Sequence, residues 1–223
     1  MSRSEKTIAN IFHAAEELFL AKSYAEVTMD QIAEGSGVTK GALYHHFASK
    51  EELYLEFMHA DLAAKELMFR RAIGAGKGCR ERLSRLTRAY FELPRRKIDL
   101  IRLVRRDANV FPKGDRQRLV RAYQAALPEL VEEVIRDGIK RGELAPANAR
   151  LLAWQFVALV EVTLGPYASK IYKDTDKKLN HVLDLFFRGA ARQRNSRGRA
   201  ASRAVRPGRA AAAKKRVRVG APA

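Results

Sequence analysis

Four residues at helical spacing, Lys40, Gly41, Tyr44 and His45, are the ones in this sequence best suited to contacting a polyanion. Their spacing predicts that they share one face of a helix. An ammonium, a phenol and an imidazole suit phosphates and base edges in the major groove of DNA, and a bare backbone allows close approach. A glycine inside a helix costs roughly 1 kcal/mol relative to alanine, so Gly41 indicates a compensating gain elsewhere. We therefore expect this face to bind double-stranded DNA.

Local signals on either side predict a helix-turn-helix that would position this face. Thr28 and Gln31 form a capping box that begins a helix over residues 28–36. Gly37 follows as the residue able to enter a left-handed turn, and a second helix begins near Thr39. The inward faces are marked by apolar residues at three- and four-residue spacing: Met29, Ile32, Ala33, Val38, Leu43 and Phe47.

Another helix is predicted to start at Ser49, which together with Glu52 has the pattern of a second capping box. Lys50 lies in the first turn of that helix, where the helix dipole disfavours a positive charge. A DNA phosphate beside Lys50 would explain this placement, so Lys50 joins the candidate DNA contacts.

Residues 6–60, and above all the stretch TMDQIAEGSGVTKGALYHHFASKEELY, resemble the DNA-binding domain of the TetR-like (TetR/AcrR) transcriptional regulators. The remainder resembles that family only in its all-helical layout and its size. The resemblance implies a homodimer that binds a near-palindromic operator, usually represses, and releases DNA when a small molecule enters the C-terminal domain. By matching positions it implies phosphate contacts from Thr28, Tyr44 and Lys50. It implies base-edge contacts from Thr39, Lys40, Gly41 and His45.

The first helix is predicted from about Thr7 to Lys22, on an amphipathic pattern. Ser23 stands where the resembling family commonly has glycine. A non-glycine residue forced into a left-handed cap would cost of order 1 kcal/mol, so we expect this helix to end differently. Arg3 and Lys6 precede the predicted helix and either touch the DNA backbone or belong to a solvated terminus.

A fourth helix continues from Ser49 to the glycines at 74, 76 and 78, and as an element shared by two units it is a plausible lever. From Cys79 onward the pattern predicts five more helices separated by ordinary stop signals. Pro128 falls inside the longest of them, where it either bends the axis or begins a new helix after a short break. Of the last two helices, the first is apolar on more than one face and the second carries a single apolar stripe. These apolar faces predict dimerisation through a four-helix bundle. Ordinary intramolecular core accounts for about half of these apolar positions on burial statistics.

The net charge of +18 is unevenly distributed along the 223 residues. Residues 188–223 contribute twelve Lys or Arg and no acidic residue, which leaves +6 for residues 1–187. From about Arg192 the composition predicts a disordered tail, because almost nothing in it can be buried to offset the entropy of ordering. Such a tail either attracts DNA non-specifically or is a solvated extension.

The sequence predicts no metal, cofactor or catalytic site. His45 and His46 are adjacent, so on a helix they point about 100° apart and cannot easily chelate one metal. No Gly-rich phosphate loop, nucleophile elbow or zinc-protease signature is present, and the C-terminal half shows no catalytic constellation, so we expect no enzyme. Arg102, Arg105 and Arg106 either bind an anionic effector group or form a solvated face.

Other features bear on the compartment. The single cysteine, Cys79, permits no internal disulfide, which suits a reducing cytosol. The most apolar run, residues 151–168, is interrupted by Gln155, Glu161 and Pro166 and falls short of a span of about 20 residues. The N-terminal residues lack the apolar segment of an export signal. We expect a cytoplasmic protein without a membrane helix.

Together these features predict an all-α protein with three parts. They are an N-terminal three-helix helix-turn-helix DNA-binding domain (4–64), a helical effector-binding and dimerisation domain (79–190) and a disordered basic tail (193–223). The predicted function is sequence-specific transcriptional regulation by a repressor that a small, lipophilic effector releases from its operator. The sequence does not identify the effector-binding residues. The alternative is a non-specific nucleoid-type DNA-binding protein that relies on the tail.

Overall fold

The computed structural model describes residues 2–190, and all regular secondary structure in that range is helical. The helices, in chain order, are α1 (Arg3–Ala21), α2 (Met29–Ser36), α3 (Lys40–His46), α4 (Lys50–Gly74), α5 (Cys79–Phe91), α6 (Arg95–Asp107), α7 (Lys113–Ala126), α8 (Pro128–Lys140), α9 (Ala149–Thr163), α10 (Pro166–Ile171) and α11 (Thr175–Ala190). Short 3₁₀ helices cover Tyr24–Glu26 and Ala108–Val110. The predicted all-α class is confirmed for this range, whereas the predicted disordered tail lies outside the described residues.

The first helix begins earlier than the sequence predicted. Ser2 and Glu5 form a capping box, in which the Glu5 N–H donates to Ser2 Oγ at 3.1 Å and the Ser2 N–H donates to Glu5 Oε2 at 2.7 Å. Arg3 and Lys6 therefore lie inside α1 rather than ahead of it. At the other end Ser23 is extended, with φ of −69°, and no left-handed cap forms, as the serine at this position led us to expect.

The helix α4 connects α1, near the N-terminus, with the later helices α5, α6 and α7. Its 25 residues span about 37 Å at the usual rise per residue. Its first half packs against α1, and α4 also has extensive contacts with α5 and α7. The described helices form one compact unit, with a core that runs without a break from Ile11 in α1 to Phe186 in α11. The domain limits at residues 64 and 79 stay a prediction.

Two features of the C-terminal region differ from the predicted five helices. The longest predicted helix is divided at Leu127, whose φ of −142° and ψ of −63° are not helical, and Pro128 is the first residue of α8. Proline suits that position because the N–H it lacks would have no partner in the first turn. The second of the two alternatives for Pro128 is thus the right one. The short helix α10 was not predicted, and it begins at Pro166, directly after Gly165.

The helices α9 and α11 pack against each other. Some of their apolar residues face the core of the protomer, and others lie on its surface. Inward residues of the two helices, among them Phe156, Val160, Val182 and Phe186, are buried in the common core. Leu151, Val162 and Leu185 are instead 58%, 74% and 52% exposed. Intramolecular packing therefore covers only part of the apolar surface of these helices.

Candidate DNA-binding site

Local hydrogen bonds fix both the start of α2 and the turn after it, where the Gly37 N–H donates to the Glu34 carbonyl at 3.2 Å and the Val38 N–H to that of Ala33 at 3.1 Å. The Gln31 N–H donates to Thr28 Oγ1 at 3.2 Å, and the Thr28 N–H donates to Gln31 Oε1 at 3.1 Å, which closes the predicted capping box. Gly37 ends α2 with φ of +67°, a left-handed conformation that glycine adopts without a Cβ clash. The predicted helix-turn-helix geometry is therefore present.

Aromatic and aliphatic packing fixes the orientation of α3. Leu43 is fully buried and Phe47 is 6% exposed, so the inward side of α3 is anchored in the core. The ring of Phe12, from α1, lies 5.8 Å from that of Phe47 and 5.7 Å from that of Phe57 in α4. Phe47, which caps the end of α3, therefore packs on α1, and the same Phe12 ring joins α1 to α4. These contacts give the opposite face of α3 a defined direction.

That opposite face carries five of the predicted site residues. Lys40, Gly41, Tyr44 and His45 are exposed on α3, and the exposed Thr39 caps it by accepting from the Ala42 N–H at 3.2 Å. Thr28 is exposed at the start of α2. The Thr28 and Thr39 oxygens accept backbone donors, so each hydroxyl proton is free to bond a phosphate or a base.

Gly41 is not required by the protein's own packing. A Cβ built at this position would meet no atom within 4 Å, and the φ of Gly41 is not positive. Neither crowding nor backbone conformation therefore explains a glycine here. The predicted close approach of DNA to the backbone of α3 would account for it.

Lys40 has an intramolecular partner that the sequence analysis missed. Its Nζ lies 2.7 Å from Asp30 Oδ1 and 3.1 Å from Asp30 Oδ2, which joins α3 to the first turn of α2. The hydrogen bond to Asp30 raises the pKa of Lys40. Both side chains are well exposed, so a phosphate can compete with Asp30 for the ammonium.

Lys50 has a structural role besides the predicted contact with phosphate. Its Nζ donates to the carbonyl oxygens of Tyr24 and Val27 at 2.8 Å each and lies 3.5 Å from that of Ala25. It also lies 4.4 Å from the centre of the Tyr24 ring. Partial burial lowers the pKa of Lys50. These carbonyl groups supply a reason, beyond any phosphate, for a lysine at the positive end of the α4 dipole.

The predicted capping box at Ser49 is only half formed. The Glu52 N–H donates to Ser49 Oγ at 3.1 Å, as predicted. The Glu52 carboxylate, however, accepts from the Ala48 N–H at 2.7 Å rather than from that of Ser49. The start of α4 is still capped. The cap includes Ala48, one residue before the Ser49 and Glu52 pair that the sequence pattern indicated.

The comparisons with known proteins agree with this geometry. Residues 11–57 match the family described as bacterial regulatory proteins, tetR family. Over 146 residues the chain is 29% identical to the HTH-type transcriptional activator FasR of Mycolicibacterium smegmatis, a match that covers 66% of this chain and 65% of FasR. It is 25% identical over 147 residues to the HTH-type transcriptional repressor KstR2 of Mycobacterium tuberculosis, covering 66% of this chain and 74% of KstR2.

A solved structure with a similar fold is that of the transcriptional regulator FadR from Bacillus subtilis in complex with stearoyl-CoA. The TM-score is 0.68 at 19% identity, and the match covers 80% of this chain and 96% of FadR. The similarity therefore extends over the described C-terminal helices as well as the matched N-terminal region.

Proposed function

Since the chain is a member of the TetR family through its residues 11–57, we propose that it is a sequence-specific transcriptional regulator that binds operator DNA. The observation that carries this proposal is the exposed face of α3, with Gly41 in open space beside Lys40, Tyr44 and His45. Thr39, Lys40, Gly41 and His45 would contact base edges, and Thr28, Tyr44 and Lys50 would hold phosphates. Such a regulator would work in the cytoplasm.

The protein would act as a homodimer through α9 and α11. A groove of about 540 Å³ on these helices is lined largely by apolar residues, including Leu152, Leu159, Val162, Leu185 and Phe186. A second copy related by a two-fold axis would cover this groove and complete a four-helix bundle. The two α3 helices would then contact successive turns of the major groove, about 34 Å apart.

A small-molecule effector would release the DNA by moving α6. One end of α6 contacts α1 and α4 through Lys97, whose Nζ lies 2.5 Å from Glu16 Oε2 and 3.2 Å from Asp61 Oδ1. At the other end Arg106 donates to the carbonyl oxygens of Phe19 and Lys22, which end α1, at 3.2 and 3.4 Å. A shift of α6 would therefore change the orientation of α1.

The last turn of α6 is also tied to α4. The Tyr54 hydroxyl donates to Asp107 Oδ2 at 3.0 Å, and both residues are buried. Arg106 pairs with Asp107, while Arg102 and Arg105 pair with Asp99 and Glu161 at 2.9 and 2.5 Å. The three arginines therefore already have carboxylate partners, which favours a structural role over binding of an anionic effector.

Repression is the direction we propose for the regulation, with the effector acting as inducer. KstR2 is named a repressor and FasR an activator, so relatives of this chain include both kinds.

Among the described residues no group of three or more His, Cys, Asp or Glu could hold a metal ion. None of the helices in residues 2–190 is long and apolar enough to cross a bilayer.

The test is selection of bound genomic fragments by the purified full chain, followed by gel-shift titration at fixed salt. We expect Tyr44→Ala and Lys40→Ala to abolish binding to the selected duplex while the dimer and the fold stay intact. Tyr167→Ala is the matched control, since Tyr167 is an exposed tyrosine on α10. Unchanged affinity in Tyr44→Ala and Lys40→Ala would refute the assignment of α3.

Deletion of residues 193–223 separates the proposal from the alternative of a nucleoid-type protein. That alternative rests on the ten Lys or Arg and no acidic residue in this segment. An operator-binding regulator should keep its sequence preference after the deletion and lose only non-specific affinity. A DNA-packaging protein should lose most of its binding to every duplex.

A further inference from the structure

A groove of about 390 Å³ lies between α1, α4 and the start of α6, and we call it the α1–α4–α6 groove. Its walls are apolar and come from three parts of the chain: Phe12, Phe57, Ala60, Ala64, Met68 and Leu93. Its volume falls at the low end of the roughly 300–1,000 Å³ typical of small-molecule sites. The groove therefore has the size and the lining of a site for a small apolar ligand.

Four charged residues form one side of the groove: Glu16, Asp61, Lys65 and Lys97. The side chains of Lys65, Asp61 and Glu16 are only 4%, 8% and 8% exposed. Charged groups at this depth are costly unless they are paired and hydrogen-bonded. Whether each of them has its full set of partners therefore decides what the groove can bind.

Each oxygen of the two carboxylates already accepts a hydrogen bond from a cation. Glu16 Oε1 accepts from Arg96 Nε at 3.0 Å, and Glu16 Oε2 accepts from Lys97 Nζ at 2.5 Å. Asp61 Oδ1 accepts from Lys97 Nζ at 3.2 Å, and Asp61 Oδ2 accepts from Lys65 Nζ. A cationic ligand would have to displace one of these cations.

Lys65 is the buried one of the two lysines whose hydrogen-bonding capacity is partly unused. Within the described part of the chain its ammonium, which has three donors, bonds only to Asp61. Lys97 also has donor capacity to spare, but its side chain is 37% exposed, so water can accept from it. Lys65 is too deeply buried for bulk water to do the same, and this burial lowers its pKa. The ammonium of Lys65 thus lacks acceptors beside an apolar groove.

We propose that the α1–α4–α6 groove binds an amphiphilic carboxylate, whose apolar chain lies along α1 and α4 and whose carboxylate accepts from Lys65. The charged acceptor supplies what the buried ammonium lacks, and the chain covers the exposed apolar walls. This site lies where Lys97 joins α6 to Glu16 and Asp61. If the proposed function is correct, occupancy of this groove would loosen α6 from α1 and change the position of α3.

The test uses three probes with the same ten-carbon chain, titrated into the full-length protein by calorimetry below the micelle concentration or the solubility limit of each probe. Decanoate should bind once per protomer. The affinities of decylamine and decan-1-ol should be lower by at least about tenfold, as expected for loss of one charged hydrogen bond. Equal affinity for the three probes, or no binding of decanoate, would overturn the proposal.

Two substitutions locate the bound probe. Lys65→Met keeps an unbranched side chain, one atom shorter than that of lysine, and removes its donors, and Lys97 remains as a partner for Asp61. Ala64→Trp fills the groove and leaves all four charged residues in place, and Ala63→Trp, on the side of α4 that lines a different groove with His59 and Arg118, is its control. We expect decanoate affinity to fall at least about tenfold in Lys65→Met and Ala64→Trp only. Unchanged affinity in both would place the probe elsewhere.

Failure of this inference is distinguishable from failure of the proposed function. Calorimetry with decanoate needs no DNA, and selection of genomic fragments needs no decanoate. Loss of decanoate binding with intact sequence-selective DNA binding would overturn the site alone. Decanoate binding by a protein without sequence preference would support the site and overturn the function.

Discussion

The substitution Gly41→Ala separates what α3 needs for its own stability from what it needs to bind DNA. The added methyl group enters open space, because no atom lies within 4 Å of a Cβ at this position. Gly41 is also the second residue of α3 and has no positive φ. Alanine should therefore be accepted by the free protein without strain.

The free energy of unfolding should increase by about 0.5–1 kcal/mol, since alanine is the better helix former and restricts the unfolded chain. For a chain of this length that corresponds to a rise of about 1–4 °C in Tm. Affinity for the selected duplex should instead fall by about tenfold or more, because the methyl group occupies the space of the DNA. The two effects have opposite signs.

Gly114→Ala is the matched control. Gly114 also follows a lysine as the second residue of a helix, α7, and a Cβ there would likewise meet nothing within 4 Å. Urea unfolding and fluorescence anisotropy with labelled duplex should show a similar gain in stability for both variants and a loss of DNA affinity for Gly41→Ala alone. Full DNA affinity in a stabilised Gly41→Ala protein would refute the close approach of α3 to DNA.

Three further predictions concern other parts of the molecule. Lys50→Met should lower the free energy of unfolding by about 1–2 kcal/mol through loss of its bonds to the Tyr24 and Val27 carbonyl groups. It should also reduce the slope of log affinity against log salt by about one, and an unchanged slope would leave Lys50 without a phosphate contact. Leu185→Glu should yield monomers in sedimentation experiments, whereas Leu67→Glu, on α4 and equally 52% exposed, should not; a dimeric Leu185→Glu protein would exclude this interface. Cys79 is buried, and its pKa is raised to about 12 by burial, so the native protein at pH 8 should react with DTNB at least about a hundredfold more slowly than the urea-unfolded protein. Equal rates would mean that this region opens readily.

The helix-turn-helix could be predicted because each of its signals depends on residues close in the chain. The Thr28 and Gln31 capping box, the left-handed Gly37 and the buried Leu43 all lie within a few positions of the groups they affect. Hydrogen bonds at this range follow from residue type and spacing alone. The same local logic explains why a serine at 23 ended α1 without a left-handed residue.

Choices between two locally acceptable conformations needed the rest of the fold. Pro128 can bend a helix or begin one, and both are compatible with its fixed φ and missing N–H. The structure starts α8 there, with Leu127 non-helical and buried in the core. No pattern in the local sequence distinguishes a bent helix from a new one, because the burial of Leu127 depends on distant helices.

Periodicity and caps are local properties, so the sequence alone predicted the all-helical class, which residues 2–190 confirm, and a candidate DNA-binding face on α3. The bonds from the Lys50 ammonium to carbonyl groups more than twenty residues earlier depend on the three-dimensional packing and could not be predicted. Only the tertiary structure brought Glu16, Asp61, Lys65 and Lys97 to one groove from three helices. Hydrogen-bond partners and unmet donors of this kind depend on contacts between remote segments. Those contacts are set by hydrophobic packing, which is not directional, so the local sequence does not show which segments will meet.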